Sequence, residues 1–265
     1  MGAFAVTVEV VPPASPEADP VLAALASLGD LAFEGYSVAT NPVARPHMSA
    51  LAMATLIQRH TGKPAILHCT TRDHNRLSLQ GLLWGARALG IETVLVASGD
   101  HVGLQSGSHT SAVRDLDVFD LVKMARAAGL HTGVVLDPRP GSDRLDYEVQ
   151  RLKHKIESGA QFVVTQPVYD EAGAQTLRHA LRGINIPVML GILPLQSVRH
   201  AQFLHNRVAG IAVPKAIQKR MELAADPASE GIANAREMLA VARRWFSGTF
   251  LMPPFNRYDI LREIL

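Results

Sequence analysis

The sequence predicts an α/β fold, a (β/α)8 barrel (TIM barrel) formed by residues 1–265 as a single domain. Short runs rich in Val, Ile and Leu recur eight times along the chain, and each is followed by a segment with helical character. Strands that alternate with helices are typical of βαβ units and a parallel sheet. Eight such units closed into a barrel need roughly 250 residues, and this chain has 265.

The predicted strands are continuous apolar runs rather than strict alternations of apolar and polar residues. Parallel strands that are covered on both faces have this pattern. The predicted strands are Val6–Val11, Gly35–Thr40, Ala65–Thr70, Thr93–Ser98, His131–Leu136, Gln161–Gln166, Pro187–Ile192 and Gly248–Pro253.

The predicted helices lie between these runs, and several of them end at a glycine. Gly62, Gly90, Gly129 and Gly159 each follow a helical segment, and glycine is the residue that most readily ends a helix in the left-handed conformation. The predicted helices are Ala18–Leu28, Met48–His60, Asn75–Leu89, Phe119–Ala128, Tyr147–Ser158, Glu171–Leu181, Ser197–Asn206, Pro214–Ala224, Ser229–Phe246 and Tyr258–Leu265.

An open, doubly wound parallel sheet is the alternative architecture for such a pattern. It is disfavoured because no Gly-x-Gly-x-x-Gly motif follows any predicted strand, and no phosphate-binding P-loop is present. The chain also lacks a linker long enough to separate two domains.

Composition excludes several classes of protein. A chain that is 48% hydrophobic and 19% charged is not disordered, and a lone cysteine, Cys69, cannot form a disulfide framework. The 26 basic and 24 acidic residues are scattered, which argues against a nucleic-acid partner. The longest apolar run, Pro187–Leu195, is too short to span a membrane. Because the N-terminal segment has no basic region of a secretory signal, we expect a cytoplasmic protein without membrane partners.

In a barrel of this kind the active site lies at the carboxyl-terminal ends of the strands. Glu9 stands there within an otherwise apolar strand. Burial of a carboxylate raises its pKa, and a carboxylic acid with a raised pKa suits general-acid catalysis near neutral pH. Alternatively, Glu9 pairs with a neighbouring arginine or faces outward between the helices. The strand pattern does not decide between the two.

Other polar residues at the predicted strand ends have two interpretations each. Asp100 is a turn or helix-cap residue or part of a site. Gln166 ends a strand or pairs with the donor–acceptor edge of a heterocycle. A hydrogen-bonded barrel histidine is favoured for His68 over a metal ligand, because no second ligand has a suitable spacing, and we predict no metal site. Arg257 pairs with a structural acid or binds a substrate carboxylate.

The ordered motifs of the chain resemble the methylenetetrahydrofolate reductase family nearly end to end, and they are most similar to its bifunctional and acetogen-type members. The resemblance is carried by Glu9 with Pro12-Pro13, Asn41-Pro42-Val43-Ala44-Arg45-Pro46, His68-Cys69-Thr70-Thr71-Arg72-Asp73, Ser98-Gly99-Asp100, Arg151-Leu152-Lys153-His154-Lys155, Thr165-Gln166-Pro167-Val168-Tyr169-Asp170, Gly191-Ile192-Leu193-Pro194 and Met252-Pro253-Pro254-Phe255-Asn256-Arg257-Tyr258.

The resemblance implies an enzyme that carries FAD and reduces 5,10-methylenetetrahydrofolate to 5-methyltetrahydrofolate with NADH or NADPH. It implies that Glu9 is the general acid and that Asp100 lies beside both flavin and pterin. Gln166 would bind the pterin edge, and Arg257 and Met221 would contact the folate substrate. The residues implied to contact the cofactor are Thr40, His68, Thr70, Ser98, Asp100 and Lys155.

Two alternatives to this function stay open at this point. One is a flavin-independent reductase in which NADH passes hydride directly, and it is suggested by the residues Ser98, Met221 and Asp137 at positions where relatives differ. The other is a folate-binding subunit without catalysis that acts with a partner. Both homo-oligomers and accessory subunits are compatible with the resemblance.

Overall fold

Eight parallel strands close into a barrel in which each strand pairs with its neighbours in chain order, and the last pairs with the first. The computed structural model describes residues 4–102, 110–137, 144–208 and 210–265. The predicted (β/α)8 barrel is therefore confirmed. The strands are β1 (Ala5–Val10), β2 (Gly35–Val38), β3 (Ala65–Thr70), β4 (Thr93–Ala97), β5 (His131–Leu136), β6 (Phe162–Pro167), β7 (Val188–Ile192) and β8 (Gly248–Leu251).

Each predicted helix is present, and the last begins as a 3-10 turn at Tyr258–Ile260. Side chains such as Asn75 and Asp170 accept hydrogen bonds from the first turns of their helices, as N-caps do. No helix in the described ranges is long and apolar enough to cross a membrane. The helices are α1 (Asp19–Ala26), α2 (Ala50–Thr61), α3 (Arg76–Ala88), α4 (Val118–Ala127), α5 (Arg144–Glu157), α6 (Glu171–Ala180), α7 (Val198–Arg207), α8 (Lys215–Leu223), α9 (Pro227–Trp245) and α10 (Leu261–Ile264).

Apolar side chains fill both the layer between strands and helices and the inside of the barrel. The outer layer is a continuous cluster that includes Val8, Leu67 and Val94. The inside is also packed by large apolar side chains, so the barrel is a filled core with a cavity at its mouth and not a pore. The buried residues of that inner cluster are Leu95, Phe162, Val164, Met189, Phe250 and Met252.

Helix α9 packs directly against the backbone at Leu195, and this contact leads to a prediction about the stability of the protein. A Cβ at Gly231 of α9 would lie 1.8 Å from the carbonyl oxygen of Leu195, whereas a Cβ at Gly81 of α3 would have no atom of the described residues within 4 Å. We expect Gly231→Ala to lower the free energy of unfolding by about 2 kcal/mol, because the helix must move away. The control Gly81→Ala should raise it by about 0.5–1 kcal/mol through helix propensity. Urea denaturation measures both, and equal effects would contradict the packing.

Candidate active site

A cavity of about 490 Å3 opens at the carboxyl-terminal ends of the strands. A smaller one, about 200 Å3, lies at the opposite end beside Thr7 and Thr93, and in the part of the chain that is described it touches no predicted site residue. The mouth cavity is therefore the candidate site. Eight of the ten predicted site residues line it, namely Glu9, Thr40, His68, Thr70, Ser98, Asp100, Lys155 and Gln166.

Glu9 faces this cavity from β1. Burial raises the pKa of Glu9 to about 7, and the nearby carboxylate of Asp100 adds to the shift. The tyrosine that follows the last strand, Tyr258, is packed close by, since burial and then the charge of Glu9 raise the pKa of its hydroxyl. Of the two interpretations that the sequence leaves open, this geometry supports the inward-facing acid. A carboxyl group with this pKa is protonated in about half of the molecules near pH 7.

Asp100 is held on both its side chain and its backbone. Its Oδ2 accepts a hydrogen bond of 2.6 Å from the Val43 amide, and its carbonyl oxygen accepts one of 3.2 Å from Arg72 Nη1. The Arg72 guanidinium also binds both oxygens of Asp73 and the carbonyl of Asn41. This network ties the ends of β2, β3 and β4 together, so the Asp100 carboxylate has a defined position at the cavity.

Gln166 is aimed into the cavity by an irregularity in the sheet. The register between β6 and β7 shifts at this point. Here the Thr165 hydroxyl takes the place of a backbone group in the hydrogen bonding between the two strands. It accepts a hydrogen bond from the Gly191 amide and donates one to the Gln166 carbonyl, each 2.9 Å long. Gly210 lies against the same side chain, because a Cβ there would be 3.1 Å from Gln166 Cγ. Such bulges commonly re-aim a side chain next to an active site.

His68 and Thr70 form the β3 wall of the cavity. His68 Nε2 lies 2.7 Å from the Ser37 hydroxyl, and burial lowers the pKa of this histidine to about 4, so its ring is neutral. The buried hydroxyl of Thr70 has no hydrogen-bond partner among the described residues. Within the same ranges no group of three His, Cys, Asp or Glu side chains is arranged to hold a metal ion.

Another wall of the cavity, formed by α5, carries several basic side chains. Lys155 donates a 2.7 Å hydrogen bond to the Val135 carbonyl, and burial together with the charge of Arg151 lowers its pKa to about 8. Arg144, Glu148 and Arg151 also line the cavity, although none of the three was predicted as a site residue. The sequence contains a pattern that could have identified them, because these three residues and Lys155 are spaced so that they lie on one face of a helix.

The structure does not bring Arg257 and Met221 to the wall of this cavity. Arg257 lies after β8 and is paired with Asp259, with 2.6 Å between Nη2 and Oδ2. Met221 is only 1% exposed, in an apolar cluster that α7 and α8 share with Leu195 and Tyr169. Its position on the inner face of α8 explains why an apolar residue is there. The substrate contacts of both residues stay predictions.

Fold and site together define a class of protein. A (β/α)8 barrel that holds two carboxyl groups, one with a raised pKa, and an amide at its carboxyl-terminal mouth has the arrangement of a barrel enzyme with an acid–base site.

The model of the methylenetetrahydrofolate reductase family matches residues 1–264, and the chain belongs to this family. Methylenetetrahydrofolate reductase 2 of Schizosaccharomyces pombe is 27% identical over 203 residues, which cover 70% of this chain and 31% of that protein. The 5,10-methylenetetrahydrofolate reductase of Pectobacterium carotovorum is 26% identical over 151 residues, which cover 55% of this chain and 49% of that protein. The chain thus spans at most about half the length of these relatives.

Solved structures agree on the fold. A protein from Clostridium thermocellum, described as binding two copies of 5-methyl-5,6,7,8-tetrahydrofolic acid, has a TM-score of 0.73 at 14% identity, and the match covers 99% of this chain and 93% of that one. A tryptophan synthase α-subunit from Pyrococcus furiosus has a TM-score of 0.57 at 15% identity and covers 98% of this chain and 97% of its own.

The Thr165 hydroxyl in the β6–β7 bulge leads to a prediction about stability that does not depend on the function of the protein. We expect Thr165→Val to lower the free energy of unfolding by about 1–3 kcal/mol, because the buried Gly191 amide loses its acceptor. Thr165→Ser keeps the hydroxyl and should lose much less. Chemical denaturation of the three proteins makes the comparison, and equal losses in both variants would assign the effect to packing of the methyl group instead.

Proposed function

We propose that this chain reduces 5,10-methylenetetrahydrofolate to 5-methyltetrahydrofolate, with NADH or NADPH as electron donor and FAD as bound cofactor. The observation that carries the proposal is that Glu9, Asp100 and Gln166 line one cavity, in which burial raises the pKa of the Glu9 carboxyl group to about 7. Membership of the family supports the reaction class. The structural neighbour that binds 5-methyl-5,6,7,8-tetrahydrofolic acid supports a folate ligand for this barrel.

Glu9 would supply the proton that the reaction needs. The five-membered ring of the substrate opens when one of its two nitrogens is protonated, and the exocyclic carbon then becomes an electrophilic iminium. A general acid can supply this proton only if it still holds it at the working pH, so a pKa near neutrality is best suited to the step. Burial in the barrel mouth gives Glu9 this property, since it raises the pKa of the carboxyl group to about 7.

Asp100 would stabilise the charge that appears when the ring opens. The iminium is cationic, and a fixed carboxylate near it lowers the energy of that state without reorganisation. The hydrogen bond from the Val43 amide to Oδ2 of Asp100 fixes the orientation of this carboxylate at the cavity. The same negative charge raises the pKa of Glu9. Asp100 would thus add to the effect of burial in favouring the protonated acid before the reaction, and would balance the cation after it.

Gln166 would form hydrogen bonds with the edge of the pterin. A side-chain amide offers a donor and an acceptor side by side, which matches the adjacent donor and acceptor of an aminopyrimidinone ring. The β6–β7 bulge holds its backbone, and Gly210 packs against its Cγ, so the amide is presented with little freedom. This rigidity favours one orientation of the bound ring.

The residues present in the structure fit a flavin dinucleotide. The Thr70 hydroxyl, which has no hydrogen-bond partner among the described residues, gives a buried polar atom for a ring system, and Gly99 has a φ of +86° with Thr70 packed against it. Arg144, Arg151 and Lys155 would hold the diphosphate with their positive charges. A neighbouring groove of about 700 Å3 shares Ser98 to His101 with the cavity and gives room for an extended ligand. When bound, FAD supplies hydride transfer between the nicotinamide and the folate.

The visible spectrum of the purified protein tests the cofactor. We expect a yellow protein, or one that becomes yellow with added FAD, whose absorbance near 450 nm (roughly the flavin maximum) bleaches with NADH and returns with 5,10-methylenetetrahydrofolate. Lys155→Met should weaken FAD binding, whereas Lys215→Met on α8 is the matched control. If flavin-free protein transfers deuteride from labelled NADH to the folate in a single turnover, the flavin-independent alternative is correct.

The pH dependence of turnover tests the acid. Glu9 must be protonated to act, so kcat should be at its highest below pH 7 and fall about tenfold per pH unit well above the pKa of about 7. Glu9→Gln should reduce kcat by at least about 100-fold and leave folate binding intact. Glu171→Gln on the exposed face of α6 is the control and should leave both unchanged. Folate binding with normal turnover in Glu9→Gln would mean that Glu9 is not the acid, and no folate binding at all in the wild type would overturn the proposed function.

A further inference from the structure

The buried serine of β2 has no part in the reaction proposed above. Ser37 is 1% exposed and stands between two apolar residues, Tyr36 and Val38. Its hydroxyl makes a single hydrogen bond within the described residues, and this bond joins it to Nε2 of His68 over 2.7 Å. Burial of a polar group is costly unless the group is hydrogen-bonded. Because this one partner lines the mouth cavity, the serine is connected to the site through His68.

The surroundings of Ser37 determine which of the two groups donates this hydrogen bond. If Nε2 of His68 donated it, the hydroxyl proton of Ser37 would need a second acceptor, and the described residues offer none. Glu9 lies opposite Ser37 in the register of β1 and β2, but burial and the charge of Asp100 account for its raised pKa, and no hydrogen bond from Ser37 lowers it. A buried hydroxyl without an acceptor is unfavourable. Ser37 therefore donates to Nε2, and a neutral ring that accepts at Nε2 carries its proton on Nδ1.

The His68 ring is neutral and lies on the inner face of the barrel. Burial lowers its pKa to about 4, so the ring holds one proton at pH 7. His68 pairs with Leu95 of the inner cluster, and its ring centroid lies 6.1 Å from that of Phe250 in the same cluster. Nδ1 makes no hydrogen bond within the described ranges, and it is not one of their fully buried polar atoms that lack a partner. The proton on Nδ1 can therefore be reached from the cavity that His68 lines.

We infer that Ser37 is a positioning residue, which fixes the tautomer of His68 so that the β3 wall presents an N–H donor to the ring system bound in the mouth. The inference rests on the proposed function for the identity of that ring, since the pyrimidine edge of a flavin carries carbonyl oxygens and ring nitrogens that accept hydrogen bonds. In the opposite tautomer Nδ1 would present a lone pair to those acceptors, and an attraction would become a repulsion. A serine that does not line the cavity thus determines which atoms the cavity can bind at His68.

The tautomer is measured in the ligand-free protein at pH 7 by long-range proton–nitrogen correlation NMR, which distinguishes protonated from unprotonated ring nitrogens. The chain has 11 histidines, and the signals that disappear in His68→Gln belong to His68. We expect the wild type to hold the proton on Nδ1. In Ser37→Ala the proton should move to Nε2, at least in part, because Nε2 has lost its donor. Ser37→Thr keeps the hydroxyl and should keep the wild-type signals, as should Thr7→Val, which removes another hydroxyl of the barrel.

The affinity for FAD, measured by the quenching of flavin fluorescence, tests what the donor does. Ser37→Ala should raise the Kd about tenfold, as expected for the loss of one buried hydrogen bond, whereas Ser37→Thr and Thr7→Val should bind like the wild type. Circular dichroism melting of each variant establishes that it is folded.

The outcomes separate the inference from the proposed function. A wild-type protein with the proton on Nε2, or a Ser37→Ala variant with unchanged His68 signals, would overturn the role of Ser37 and leave the proposed function standing. Equal Kd values for FAD in Ser37→Ala and the wild type would overturn the donor at Nδ1. A wild-type protein that holds the proton on Nδ1 but binds no FAD would overturn the proposed cofactor and leave the tautomer assignment standing.

Discussion

The whole arrangement depends on the close approach of β1 and β8, which closes the barrel. Gly248 is paired with Ala5 of β1 on one side and with Met189 of β7 on the other. A Cβ at Gly248 would lie 2.3 Å from the Ala5 carbonyl oxygen, so a side chain there would separate the strands. Closure satisfies the backbone groups of both edge strands, and it brings the first strand, which carries Glu9, next to the last.

The chemistry of the mouth follows from this closure. Parallel strands deliver their carboxyl-terminal residues to one rim, so Glu9, Asp100 and Gln166, which are far apart in sequence, share one cavity. Large apolar side chains fill the inside of the barrel, and burial is the main cause of the raised pKa of Glu9. Acid strength at this site is thus set by the packing of the core as much as by the carboxyl group itself.

Two left-handed turns shape the rim on opposite sides of β1. At one of them Asn41 and Val43 have φ values of +42° and +48°, and at the other Phe255 and Asn256 have +55° and +56°. Each turn is held by a polar side chain that bonds backbone across the rim, Asp100 in the first case and Asn256 in the second. These bonds offset the conformational cost of the turns, so the mouth is preorganised before any ligand arrives.

Most of the architecture was readable from the sequence by itself. Each predicted strand and helix is present, and eight predicted site residues line the mouth, because polar residues after apolar runs identify strand ends. Tertiary structure alone decided the rest. The i, i+4 spacing of Arg144 and Glu148 marks one face of a helix but not what that face meets. The orientation of Glu9, the burial of Met221 and the exposure of Phe255 depend on contacts between residues distant in sequence, and no local pattern encodes those.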